Sequence, residues 1–254
     1  MKPSFKEENK IYLTDKIFLY DNKTYYELED KYLKLNDSNW SKYLKDYGWK
    51  KIDLGWRKRI IDLNGNKKCK YGILDCGAKG NCLFHCISEA LNDNSNPEKC
   101  IYDIKTIRNI AADEINNDNF NIILETYKLE QENDEFIGEW DPTNIKSIKD
   151  LKEEIMKCGD SFWGDHIILQ LLQEALKFNV VILNSGSSFY NNYTIKSIGS
   201  DIFKYKKTII LYYTEGLHFE LLGYFDNNKM NVLFDSINIP NEINQFYKID
   251  CRII

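Results

Sequence analysis

Histidine is scarce in this chain: three in 254 residues, His85, His166 and His218. Any chemistry that needs an imidazole must draw on one of them. Long apolar runs are missing too. No stretch approaches the roughly 20 residues that cross a membrane, and the opening MKPSFKEENKIYL lacks the apolar centre of a secretion signal. There is no basic excess. The formal net charge is −5, so no positive field gathers the phosphates of a nucleic acid, and the local strip KKIDLGWRKR (50–59) reads as a solvated face. Paired cysteine motifs are absent: the seven cysteines are odd in number and none forms C-x-x-C. Cys82, His85 and Cys86 have no second half-site at finger-like spacing. Neither a disulfide framework nor a structural zinc is expected, and a reducing compartment fits. The N-x-S/T triplets that begin at Asn22 and Asn192 are then expected to stay unmodified.

What is present is ordinary globular material, 43% hydrophobic and 29% charged. Residues 1–68 read as an N-terminal extension or small subdomain. Within it, IYLTDKIFLYDNKTYYELEDKYLKL alternates like strands joined by a bend at Asp21, Asn22 and Lys23, and NDSNWSKYLKDYGW (36–49) reads as a short helix ending at Gly48. From Tyr71 the texture changes. YGILDCGAKGNC is a short strand and a loop with Gly77 and Gly80. Leu83, Cys86, Ile87, Ala90 and Leu91 then mark one helical face, and Ile104, Ile107, Ala111 and Ile115 a second. NNDNFN and LEQENDEFIGEWDPTN read as loop. A helix is expected over 148–156, another with an Ile168, Leu171, Leu172, Ala175 and Leu176 stripe capped by Asp165, then a buried strand at Val180 to Leu183. TIILYY, HFELLGY and MNVLF follow as a meander, with TEGL (214–217) as a glycine hairpin loop. Helices followed by a run of strands predict an α+β fold.

One run, GNCLFHCISEAL (80–91), carries the chemical interest. Cys82 stands where a glycine loop meets a helix N-terminus. The helix macrodipole favours a thiolate there, and free backbone N–H groups of the loop are placed to hold an oxyanion. Cys86, one turn on, falls in the apolar stripe and reads as core. A thiol nucleophile needs a base. His85 shares the helix of Cys82 and has no easy reach to both the sulfur and an orienting partner. His166 sits in the first turn of an amphipathic helix. His218 opens a strand, and Glu220, two residues on, shares its face. A carboxylate there can accept from the imidazole and set its tautomer.

Three blocks in order resemble the ovarian tumour (OTU) family of cysteine proteases, which are mostly deubiquitinases. GNCLF (80–84) is similar to the family's D-G-N-C-L-F, FWGDHIILQLLQEALKFNVVIL (162–183) to its tryptophan-glycine helix and following strand, and HFELL (218–222) to its histidine strand. The resemblance covers about 73–234. It implies a papain-type cysteine protease fold in which a small, mostly antiparallel sheet packs between helices, with the catalytic domain over 69–254. By position it implies Cys82 as nucleophile, His218 as general base and acid, and Glu220 as orienter, with Asp75 in reserve. Lys79, Gly80 and Asn81 become the oxyanion loop, and Trp163 and Gly164 lie against the substrate. Lys79 departs from the family's usual aspartate, and an ammonium near the sulfur further favours thiolate. No metal or organic cofactor is implied. The implied partner is ubiquitin or a ubiquitin-like protein, with neither nucleic acid nor membrane, and the expected place of action is the cytoplasm, or a host cytosol if the source is a virus or a bacterium that secretes it. An inactive ubiquitin-binding module and a protease acting on an unrelated peptide bond are the alternatives.

Overall fold

The computed structural model describes residues 5–66, 68–77, 79–92, 101–185, 193–199, 204–214 and 218–251. The chain opens with β1 (Ile11–Tyr12), β2 (Ile17–Tyr20), β3 (Lys23–Glu27) and β4 (Tyr32–Lys34), which pair in that order as an antiparallel sheet. The bend between β2 and β3 holds Asp21 and Asn22, both at positive φ (48° and 57°). That conformation matches the twist of a two-residue hairpin, and short polar side chains tolerate it best. Next come α1 (Trp40–Tyr43), a 3₁₀ turn ending at Gly48, β5 (Trp49–Lys51) and α2 (Leu54–Asn64).

The remainder runs β6 (Tyr71–Leu74), α3 (Cys82–Leu91), α4 (Ile104–Asp113), α5 (Phe120–Glu132), α6 (Ile148–Met156), α7 (His166–Leu176), β7 (Phe178–Asn184), β8 (Ile195–Ser197), β9 (Lys207–Thr214), β10 (His218–Asp226), β11 (Lys229–Asn231), β12 (Leu233–Asp235) and α8 (Asn241–Asp250). Among the described residues, eight strands form the second sheet: β5-β6-β10-β9-β7-β8, with β11 on β10 and β12 on β9. Only β7 and β9 run parallel. The sheet is thus mostly antiparallel, as expected, but larger than the sequence suggested. The glycine hairpin expected between β9 and β10 falls largely on 215–217, outside the described residues.

Both faces of this sheet are covered, which explains its uninterrupted apolar strands. In β9, Ile209 and Leu211 face the cluster built by α3, α4 and α7, while Ile210 and Tyr212 face Trp56 and Ile60 of α2 and Ile243 and Phe246 of α8. Residues 40–66 therefore contribute to the main body. Strand β5 pairs with β6, Trp40 stacks on Phe225 at 5.8 Å, and Trp40 and Trp56 are wholly buried. A tryptophan so placed is worth on the order of 3–5 kcal/mol.

Helix α5 corrects the expectation of loop on either side of it. Ile123, Leu124 and Tyr127 are buried, and Tyr127 packs edge-on against Trp140 and Phe162. Its last residues, Leu129, Glu130, Gln131 and Glu132, are good helix formers in which polarity mimics a loop.

Candidate active site

Cys82 is the first residue of α3 and is 3% exposed. Helix α3 packs on β10, whose first residue is His218. The join is made at the sulfur atoms. The backbone N–H of Phe219, next to His218, points at the Cys82 thiol, and the Cys86 thiol donates to the Phe219 carbonyl at 3.6 Å. The strand that begins at His218 is thus packed against the start of the helix that Cys82 opens. Cys86 is wholly buried, as its place in the apolar stripe required. His85 is exposed. His166 is 61% exposed, with Glu130 at 3.9 Å.

The expectation of a lowered thiol pKa is reversed here. Burial pushes the Cys82 thiol up, and the N–H groups of Phe219 and Leu83 pull it down without overturning that direction. The reason is local. The thiol sits inside the core, where loss of water disfavours charge more than one helix terminus repays. Lys79 is exposed, in a left-handed conformation (φ 65°).

Both carboxylates that the sequence offered for orienting His218, Glu220 and in reserve Asp75, lie near its ring. Glu220 is 3% exposed, and its carboxylate is held at 2.7 Å by the Lys50 ammonium from β5. Asp75, just past the end of β6, lies 3.6 Å from His218 Nε2. Sharing a strand face does bring Glu220 near the ring, but a buried carboxylate needs a cation, and β5 supplies one. Asp75 also accepts the Gly77 N–H at 2.9 Å, which ties it into the loop before Cys82. One atom from each of Asp75, His218 and Glu220 lies within 4.8 Å of the others; among the described residues this is the one group compact enough to surround a metal ion, and Lys50 already engages one of its carboxylates.

The loop before Cys82 is tightly fitted. Gly80 is buried at φ 74°, and a Cβ there would stand 2.1 Å from the Gly159 carbonyl oxygen. Asn81 precedes α3 yet makes no capping bond, because its side-chain oxygen accepts from Arg108 at 2.8 Å. Gly164 approaches α3 so closely that a Cβ would meet Leu83 Cδ2 at 2.6 Å. Trp163 is fixed by its indole N–H, which donates to the Asp160 carbonyl at 2.9 Å. Trp163 and Gly164, together with Ile182, Tyr213 and Phe219, line a cleft of about 250 Å³. A larger cleft of about 460 Å³ by α2 holds Lys51, Arg57, Lys58 and Lys68 and none of the residues above. No helix among the described residues is long and apolar enough to cross a membrane.

The sequence reading missed two members of this neighbourhood, Lys50 and Arg108. Lys50 carried no signal, since its role depends on which strand β5 joins. Arg108 did carry one: it shares the α4 face of Ile104, Ala111 and Ile115, a charge in a core register.

No curated protein matches the chain. Solved structures similar to it include an ovarian tumour domain in complex with ubiquitin (18% identity, TM-score 0.43, covering 69% of this chain and 80% of that one). Others are the Hazara virus OTU bound to ubiquitin (14%, 0.40, 62% and 83%) and an OTU deubiquitinase from Wolbachia pipientis wMel bound to ubiquitin (15%, 0.41, 64% and 99%). The family model of OTU-like cysteine proteases matches residues 77–219. That match takes in more than half of the chain and runs from the loop before Cys82 to the start of β10, and by it the chain belongs to the OTU-like cysteine protease family.

Proposed function

We propose that the protein is a deubiquitinase that cleaves the bond after the C-terminal glycine of ubiquitin or a ubiquitin-like modifier. The observation that carries this reading is the meeting of Cys82 with the strand of His218 at Phe219, a residue that also walls a cleft with Trp163, Gly164 and Tyr213. A cleft of this size suits a tail without side chains better than an ordinary peptide. The ubiquitin found with family members of known structure supports the same substrate.

The chemistry follows from the positions. At rest the buried thiol keeps its proton, so His218 accepts that proton as the sulfur attacks the glycine carbonyl. The carbonyl oxygen becomes an oxyanion, held by N–H groups at the start of α3 and in the 79–81 loop; each such donor is worth about 3 kcal/mol. The C–N bond then breaks, and the imidazolium of His218 gives its proton to the departing lysine amine. A thioester remains on Cys82. His218 next takes a proton from water as the oxygen attacks. The C–S bond breaks, the modifier leaves as a carboxylic acid that ionises in solvent, and the thiol regains its proton from His218. Asp75 steadies the imidazolium throughout.

Reaction with ubiquitin bearing a C-terminal propargyl group tests the reading. One adduct is expected, at Cys82, and none in Cys82→Ala. Labelling that maps to Cys76 or Cys86, or turnover of a generic peptide as fast as of a ubiquitin–fluorophore conjugate, would overturn it.

A further inference from the structure

Arg108 is an arginine in a place where arginines are rarely found. It is 0% exposed, and no carboxylate stands within ion-pair range of it among the described residues. Burial accordingly pulls its guanidinium down to about 10, still well inside the charged range at neutral pH. A buried charge without a counter-ion is costly, so its partners show what it is kept for. One terminal nitrogen donates to the Ile155 carbonyl at 2.7 Å. The other donates to the Gly80 carbonyl at 3.2 Å, the Asn81 side-chain oxygen at 2.8 Å and the Phe162 carbonyl at 3.0 Å. The guanidinium lies 3.9 Å over the ring of Phe84, and Nε has no partner.

These contacts converge on the two residues before Cys82 and on the residue before Trp163. Peptide groups are planar, with C=O and N–H pointing in opposite directions. Holding the Gly80 carbonyl toward the buried guanidinium therefore turns the Asn81 N–H away from it. Taking the Asn81 side chain removes it from the capping role that asparagine usually plays at a helix start, so it does not compete for the first N–H groups of α3. Lys79, where the sequence departs from the family pattern, is exposed and has no share in this arrangement. Gly80 closes the clamp, with no room for a side chain between it and Gly159.

We propose that Arg108 is the positioning residue of the nucleophile loop: through the Gly80 carbonyl and the Asn81 side chain it sets the backbone N–H groups that receive the oxyanion, and through Phe162 it ties that loop to the Trp163 wall of the cleft. The inference rests on Cys82 as the nucleophile and does not depend on ubiquitin as the substrate.

The test compares two reactions of Cys82 in the full chain, with Cys82→Ala as the blank. Acylation by p-nitrophenyl acetate develops an oxyanion; alkylation by iodoacetamide does not. Arg108→Met should acylate about 100-fold more slowly, the scale of a lost oxyanion donor, while alkylating within about threefold of the parent. On a ubiquitin–fluorophore conjugate the same loss should fall on kcat, with KM nearly unchanged. Arg108→Lys, which keeps the charge but not the fork, should fall between. Equal loss in both reactions, or acylation within about threefold of the parent in folded Arg108→Met, overturns the proposal. Failure of both variants to fold assigns Arg108 to stability alone and overturns it too. A parent that acylates normally but ignores ubiquitin refutes the substrate reading and leaves the Arg108 comparison intact.

Discussion

Asp75→Asn should slow turnover more than Glu220→Gln, although Glu220 is the more buried of the two and shares a strand with His218. Both carboxylates lie close to the imidazolium that forms during the reaction. The Asp75 oxygen is 3.6 Å from Nε2. A pair of unit charges at that range is worth about 1 kcal/mol in water-like surroundings and about 4–5 kcal/mol at an effective dielectric constant of about 20. Asp75 is 60% exposed and His218 30%, so solvent screening brings the value toward the lower end, about 1–2 kcal/mol. That corresponds to a loss in kcat of about 5- to 30-fold. The charge of Glu220 is cancelled to first order by the Lys50 ammonium at 2.7 Å, so Glu220→Gln should stay within about threefold. Asparagine keeps the acceptor for the Gly77 N–H, so the substitution removes charge without freeing the loop. The assay is hydrolysis of a ubiquitin–fluorophore conjugate near neutral pH at low and high salt, and the Asp75 effect should shrink as salt rises. A loss above about tenfold in Glu220→Gln, with Asp75→Asn within about twofold, would refute the cancellation argument and return the orienting role to Glu220.

Three further outcomes are expected. His218→Ala should lower turnover by about 10²–10⁴, whereas His85→Ala and His166→Ala, at exposed positions, should stay within about twofold; a folded but inactive His166→Ala would show that the base has been misassigned. Gly80→Ala places a Cβ 2.1 Å from the Gly159 carbonyl oxygen at φ 74°, so it should cost more than about 2 kcal/mol and abolish acylation of Cys82. An unchanged melting temperature would contradict the close approach. Burial holds Cys86, Tyr71 and Tyr127 well above their ordinary values. Above about pH 9 the folded chain therefore keeps protons that the unfolded chain releases, and stability that is complete below that pH declines as it rises. Thermal melts under reductant from neutral to about pH 10.5 should show that fall, and a flat profile would count against it.

Much of this site was legible in one dimension. The placement of Cys82 at a helix start follows from GNCLFHCISEAL, because a glycine loop followed by apolar residues at helical spacing is local information. Asp165 as cap of α7, with its carboxylate accepting the Ile168 N–H at 2.9 Å, was readable for the same reason. So was the short list of bases, since three histidines leave few choices. What only the tertiary structure decided were the partners of buried charges. Glu220 and His218 share a strand face, but the energy of a buried carboxylate is set by the nearest cation, and that cation comes from Lys50 on a strand joined to the sheet through β6. Asp75 reaches His218 because Leu74 pairs with Leu221, a register fixed by strands far apart in sequence. The proton affinity of Cys82 likewise depends on how deeply α3 is packed. Arg108 stands between the two cases. Its helical register placed it inward, but the Gly80, Asn81 and Phe162 oxygens that receive it come together only when three separate segments close around the guanidinium.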